Sequence, residues 1–115
     1  MQSKLKFNKI AIIGLGLIGS SIALAIKKHK IAKSVSGYAK SLKTRQIAKK
    51  IKLASKVESS LKAAVKNADL IIICTPLSSY KKIFKSIKLH LKDGVIITDV
   101  GSAKTKSMQE AQSIL

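Results

Sequence analysis

The 115 residues carry 23 basic against 5 acidic side chains, a formal net charge of +18, with 46% apolar residues and only 3% aromatics. That is enough chain for a single domain with one hydrophobic core, assembled from Ile, Leu, Val and Ala rather than from rings, while a lone cysteine, Cys74, excludes an internal disulfide and fits a reducing, cytoplasmic setting. The basic residues, all lysine except Arg45, recur in pairs such as Lys27-Lys28, Lys49-Lys50 and Lys81-Lys82, and the four aromatics Phe7, Tyr38, Tyr80 and Phe84 are scattered, so a base-stacking nucleic-acid surface is excluded and only nonspecific attraction to polyanions is expected.

The chain opens with a strand over residues 9–14, which runs directly into Gly14-Leu15-Gly16-Leu17-Ile18-Gly19 and then into a helix over residues 17–28. A strand, a glycine loop and a helix in that order form a phosphate-cradling turn, so dinucleotide binding is expected here. Each glycine has its own physical reason. Gly14 allows the tight turn off the strand, Gly16 lets a pyrophosphate approach the backbone, and Gly19 lets the helix pack closely on the strand. The helix start at Leu17 and Ile18 presents unpaired N–H groups and the positive end of the helix dipole to the phosphates. A secretory targeting segment competes for the same stretch, since Lys4, Lys6 and Lys9 precede an almost uncharged run over residues 10–26 and Ala23-Leu24-Ala25 imitates a cleavage site. That run is shorter than the roughly 20 residues that span a bilayer, and it contains three glycines at phosphate-loop spacing, so no membrane association is expected.

A short strand follows at residues 35–38, then a helix capped by Ser41 or Thr44 and running to about Leu53. A very short strand is expected at Lys56-Val57. Ser59 or Ser60 then caps a helix that carries Leu61, Ala64, Val65 and Ala68 at helical spacing and is terminated by Asn67. Residues 70–74 are apolar on both faces, as in a central parallel strand, and end at Thr75-Pro76. A helix over residues 79–91 places Ile83, Phe84, Ile87 and Leu91 on one face, Asp93-Gly94 makes a turn, residues 95–99 form another buried strand, and a last helix begins after Ser102. Strands alternating with helices throughout predict an α/β fold, a doubly wound parallel sheet of Rossmann type with right-handed crossovers. Its ligand crevice lies at the carboxyl ends of the strands, where the loops 14–19, 75–79 and 100–104 converge. Cys74, at the end of an apolar strand with no histidine near it in sequence, is expected to be a packing residue.

A site built for NAD carries a carboxylate at the end of the second strand, about 20 positions past the glycines, to accept the ribose hydroxyls. That position is Ala39. Lys40, Ser41, Lys43 and Arg45 follow, and a 2′-phosphate could be met there by Lys40, Arg45 and the Ser41 hydroxyl, which favours NADP over NAD. Lys43 is discounted, because lysine surrounds it. No metal site is read from the sequence.

Three segments together resemble one family: Ile12-Ile13-Gly14-Leu15-Gly16-Leu17-Ile18-Gly19-Ser20-Ser21, Ala68-Asp69-Leu70-Ile71-Ile72-Ile73-Cys74-Thr75-Pro76-Leu77, and Val95-Ile96-Ile97-Thr98-Asp99-Val100-Gly101-Ser102-Ala103-Lys104. The chain looks like the nucleotide-binding half of a prephenate or arogenate dehydrogenase, an enzyme of tyrosine biosynthesis. The glycine segment is shared by many dehydrogenases, whereas Thr-Asp-Val-Gly-Ser-x-Lys is particular. The resemblance implies an oxidative decarboxylation with hydride transfer to the nicotinamide, a catalytic-site role for Ser102 in orienting the substrate hydroxyl, and a place for Thr75 and Pro76 beside the nicotinamide and its ribose. Ser102 as the cap of the last helix is the competing local explanation, and both roles can hold.

The resemblance covers the whole chain but less than half of a typical family enzyme. The family's later His-Pro segment, whose histidine polarises the substrate hydroxyl, and its helical substrate and dimerisation domain have no counterpart before Leu115. His29 and His90 are expected to be ordinary helix-end residues. The expectation is therefore a cofactor-binding domain that holds NAD(P), needs the missing domain to take prephenate or arogenate and to form a homodimer, and turns over nothing alone. Two other readings stay open: a dehydrogenase domain for another small hydroxy or oxo acid, and a noncatalytic nucleotide-sensing module that leaves Ser102 without a duty.

Overall fold

In the computed structural model, residues 7–100 are described. The elements in chain order are β1 (Phe7–Ile13), α1 (Leu17–Lys28), β2 (Ala32–Tyr38), α2 (Leu42–Lys50), β3 (Lys56–Glu58), α3 (Leu61–Val65), β4 (Leu70–Ile73), α4 (Leu77–Ile87) with a 3-10 turn over Lys88–His90, and β5 (Ile96–Asp99). The strands form one sheet in the order β3-β2-β1-β4-β5, and every pairing is parallel. Residues Ile10 to Ile13 of β1 sit in register with Val35 to Tyr38 of β2 on one side and with Leu70 to Ile73 of β4 on the other. The strand order therefore reverses at β1, which creates the crevice outside the carboxyl ends of β1 and β4.

The apolar runs do not alternate because both faces of the sheet are covered, and successive side chains point to opposite faces. Ile10 and Ile12 of β1 join Val35, Ile72, Ala23 and Ile26 of α1, and Ala48 of α2 in one buried cluster. Ala11 and Ile13 join Ile71, Ile73, Ala64 and Val65 of α3, and Ile83 and Ile87 of α4 in the other. The uncharged run 10–26, read against a targeting segment, is thus divided between the central strand and the helix packed on it. Among the described residues no helix is long and apolar enough to cross a membrane.

Several element boundaries differ from the sequence expectation. β1 and β2 begin earlier, at Phe7 and Ala32, where exposed or half-exposed residues such as Asn8, Lys33 and Ser34 pair along the ladder without any apolar pattern to announce them. α2 stops at Lys50. Leu53, expected to end the helix, is buried from a loop instead: Lys52 takes the left-handed conformation at φ 54°, and the Leu53 amide then donates to the Ala48 carbonyl at 3.0 Å. α3 is a single short turn closed by Asn67 at φ 62°, a conformation asparagine tolerates better than most residues. α4 begins two residues early, at Leu77, because Pro76 with φ −56° is already shaped to precede a helix. It ends at Ile87, so Leu91 lies beyond it, and Phe84 is 39% exposed and stacks on Tyr80 with ring centroids 6.2 Å apart.

Asp69, at the foot of β4, ties the amino-terminal edge together. Its carboxylate accepts from the backbone amides of Asn8 and Lys9 and pairs with the Lys92 ammonium. The Lys92 hydrogen bond first, and then the Lys9 and Asn8 amides, hold this carboxyl below the usual carboxylate range. A folded-state value below the unfolded one gives stability that is present above the unfolded value of about 3.9 and is lost as pH falls through the folded value. The thermal midpoint is therefore expected to fall between about pH 5 and about pH 3 by a larger amount in the native chain than in Asp69→Asn, as read by circular dichroism melts across that range. Equal slopes would contradict the assignment.

Candidate functional site

The site begins where the ladder stops. The Gly14 amide donates to the Tyr38 carbonyl and the Cys74 amide to the Ile13 carbonyl, each at 2.7 Å, and past these rungs the three chain segments separate. The glycines then divide their work. Gly14 holds φ 102°, and a Cβ on it would come within 3.0 Å of the Thr75 methyl. A Cβ on Gly19 would lie 1.9 Å from the Gly14 carbonyl oxygen, so α1 can approach β1 only without one. Around Gly16, by contrast, no atom of the described chain lies within 4 Å of the Cβ position. Nothing among the described residues requires glycine there.

Gly16 is the N-cap of α1, and no side chain caps this helix, nor is there an acidic residue in its first turn. α4 likewise starts without a side-chain cap, after Pro76, whereas α2 and α3 are capped. Ser41 accepts from the Thr44 amide at 3.3 Å to cap α2, and Ser60 accepts from the Ala63 amide at 3.1 Å to cap α3. α1 alone of these three presents its first-turn amides, at Leu17 and Ile18, without an acceptor from its own N-cap. Leu17 is 87% exposed beside them. Uncapped amides at the positive end of a 12-residue helix suit an anionic group. The loop is held from beneath by Leu15, whose carbonyl accepts from the Ser20 hydroxyl at 3.1 Å and whose side chain fits against Gly37. A Cβ at Gly37 would lie 2.9 Å from the Leu15 Cδ1, a requirement the sequence reading missed although a glycine inside a strand was the signal for it.

A cleft of about 470 Å³ adjoins the loop, walled by Gly14, Tyr38 and Lys40 and by Thr75, Pro76, Ser79, Lys82 and Ile83. Thr75 and Pro76 thus line the same cleft as the end of β2. The Thr75 hydroxyl oxygen is buried and has no hydrogen-bond partner among the described residues. At the end of β2, Ala39 is 5% exposed and packs into the core beneath, so no carboxylate faces this position. Lys40 is exposed. Arg45 turns inward, its Nη1 donating to the Ala39 carbonyl at 2.6 Å and the Lys40 carbonyl at 3.0 Å, and so pins the β2–α2 loop. The Ser41 hydroxyl oxygen accepts the α2 cap bond, and its O–H remains the donor that a phosphate would take. Ser79 belongs to the loop expected at the crevice, whereas Lys82 was not anticipated, because it reaches the cleft from α4, some 40 residues from Lys40 in sequence. Ser102 lies outside the described residues. His29 and His90 lie at the ends of α1 and of the 3-10 turn and do not wall the cleft.

Cys74 is half-buried at the end of β4, and burial first, with the Asp99 charge second, pushes its thiol up to about 11. It is therefore a protonated packing group at neutral pH, and its alkylation by iodoacetamide is expected to rise with pH toward about 11, with no plateau near the value of about 8.5 usual for a free thiol. A plateau there would contradict its placement. Elsewhere the excess of lysine meets helix carboxyl ends. Lys27, Lys28, Lys49 and Lys50 occupy the last turns of α1 and α2, and the Lys27 ammonium donates to the Lys52 carbonyl at 3.2 Å.

An all-parallel sheet with its order reversed at β1, a three-glycine loop and an uncapped helix start define a Rossmann-type nucleotide-binding domain. The comparisons agree. Residues 22–115 match the family of the prephenate dehydrogenase nucleotide-binding domain, and the chain belongs to that family. It is 39% identical over 109 residues to a cyclohexadienyl dehydrogenase of Zymomonas mobilis, which covers 95% of this chain and 37% of the relative. It is 41% identical over 107 residues to a prephenate dehydrogenase of Lactococcus lactis, covering 92% of this chain and 30% of the relative. Among solved structures it is similar in fold to Aquifex aeolicus prephenate dehydrogenase in complex with hydroxyphenyl propionate and NAD+, with a TM-score of 0.76 at 18% identity over 84% of this chain and 34% of that one. Synechocystis arogenate dehydrogenase is similar with a TM-score of 0.73 at 28% identity, over 80% of this chain and 32% of that one. The chain thus spans about a third of the length of the relatives it matches.

Proposed function

We propose that this chain is the NAD(P)-holding part of a prephenate or arogenate dehydrogenase of tyrosine biosynthesis, with NADP as the preferred cofactor. The observation that carries the reading is the start of α1: amides with no acceptor from their own N-cap, beside a glycine that none of the described residues requires. A nicotinamide dinucleotide supplies a hydride acceptor when bound. The residues present fit such a group. Gly16, Leu17, Ile18 and Gly19 offer main-chain N–H groups to a diphosphate, Gly14 shapes the turn that aims them, and Tyr38 and Lys40 wall the adjoining cleft for an adenosine, while Thr75 and Pro76, which line the same cleft, stand where it continues toward the nicotinamide and its ribose. Buried Ala39 offers the ribose no acceptor, whereas Lys40 offers a 2′-phosphate a cation.

We assign Ser102, beyond β5, to the substrate end of the crevice, and substrate clamping and homodimer formation to the portion of the family enzymes that this chain does not match. The working compartment is the cytoplasm, in keeping with one protonated, part-buried thiol. The test pairs a binding titration with an activity assay on the purified chain. It is expected to bind NADP and NAD and to form no NADPH with prephenate or arogenate. Failure to bind either dinucleotide would overturn the cofactor reading, and substrate-dependent NADPH formation by the chain alone would overturn the division of labour.

A further inference from the structure

The cleft beside the glycine loop contains a cation that belongs to neither the loop nor the end of β2. Ser79, Lys82, Ile83 and Ser86 follow at helical spacing on α4 and line it together. Ile83 is buried against the sheet in the second core cluster, which fixes the rotation of α4 and sets Lys82 at the wall. Lys40, from the end of β2, lines the same cleft. Among the described residues lining the cleft there is no aspartate or glutamate. Arg45, the cation expected from sequence at this corner, has its Nη1 committed to the Ala39 and Lys40 carbonyls.

We propose that Lys82 is a specificity-determining residue which, with Lys40 in the same cleft, selects an adenosine bearing a 2′-phosphate over one bearing a free 2′-hydroxyl. The inference rests on the reading of the cleft as an NAD(P) site and deepens it. The chemistry is electrostatic. A 2′-phosphate brings close to two negative charges into a cleft walled by ammonium groups and serine hydroxyls, where charge-assisted hydrogen bonds are stronger than neutral ones. A free 2′-hydroxyl gains little from an ammonium group and finds no carboxylate acceptor where Ala39 stands. Two lysines from separate elements can close on the phosphate as point charges, without the planar fork that a bidentate guanidinium would require.

The test measures dissociation constants of NADP and NAD by calorimetric titration for the native chain, Lys82→Ala, Lys82→Arg and Lys40→Ala, each checked for an unchanged thermal midpoint. The native chain is expected to bind NADP more tightly than NAD. Lys82→Ala should weaken NADP about tenfold or more while leaving NAD within about twofold, Lys40→Ala should do the same, and Lys82→Arg should keep the preference. Equal losses for the two dinucleotides in Lys82→Ala, or no loss in either, would overturn the role of Lys82 while leaving the NAD(P) site standing. If the native chain binds neither dinucleotide, the reading of the cleft falls and this inference with it.

Discussion

Gly16→Asp is expected to fold as the native chain does and to lose its dinucleotide. The reason lies in two facts about one position. No described atom comes within 4 Å of the Cβ that aspartate would add, and the backbone there, at φ −76° and ψ −159°, is extended and open to any residue. Aspartate is also among the best N-caps, so its carboxylate can accept from the first-turn amides of α1 and stabilise the helix by about 0.5–1 kcal/mol. The same carboxylate then occupies and charges the place where a diphosphate would be held. Affinity for NAD and NADP should fall at least a hundredfold, which corresponds to about 2.7 kcal/mol, while the thermal midpoint stays level or rises. A variant that still binds would show that the start of α1 is not the phosphate site.

Gly19→Ala should have the opposite character, damaging the fold. Its Cβ would lie 1.9 Å from the Gly14 carbonyl oxygen and 3.4 Å from the Cys74 Cβ, and the first of these partners is backbone at the central strand. Neither group can turn aside as a flexible side chain would, so α1 must lift from β1 and loosen the packing of Ala23 and Ile26 beneath it. Overpacking of this kind costs about 3 kcal/mol, a large share of the roughly 5–15 kcal/mol that holds a small domain. Urea unfolding should show a loss of that size, and the thermal midpoint should drop by about 10 °C or more. A loss under about 1 kcal/mol would mean that the helix and strand are not in the close contact described.

These two glycines also show how much was legible in the sequence. Their spacing announced a turn and a helix start, and the reasons assigned to Gly14 and Gly19 are the ones the geometry displays, while at Gly16 the geometry shows the open space that its assigned reason requires. The parallel sheet was readable because Ile10 to Ile13 and Leu70 to Ile73 are apolar at every position, which only a strand covered on both faces needs. The early starts of β1 and β2 were not readable, since Asn8 and Lys33 pair through the backbone, which carries no side-chain signature. Leu53 was expected to end a helix rather than to sit in a loop, because the left-handed turn at Lys52 uses a residue type that rarely signals one. Arg45 was legible as a cation near the end of β2, yet its proximity to the Ala39 and Lys40 carbonyls depends on the path of the loop. Lys82 was hidden for a simpler reason: the crossover brings α4 beside the end of β2, and no local pattern records that meeting.

The most direct measurement is a titration of the isotope-labelled chain with NADP, followed amide by amide by nuclear magnetic resonance. The account predicts the largest shifts at the Gly16, Leu17 and Ile18 amides, with a second group at Lys40, Thr75 and Lys82, and none at the lysine-rich ends of α1 and α2. Shifts confined to Lys27, Lys49 and Lys52, or no saturable shift at Gly16, would contradict it.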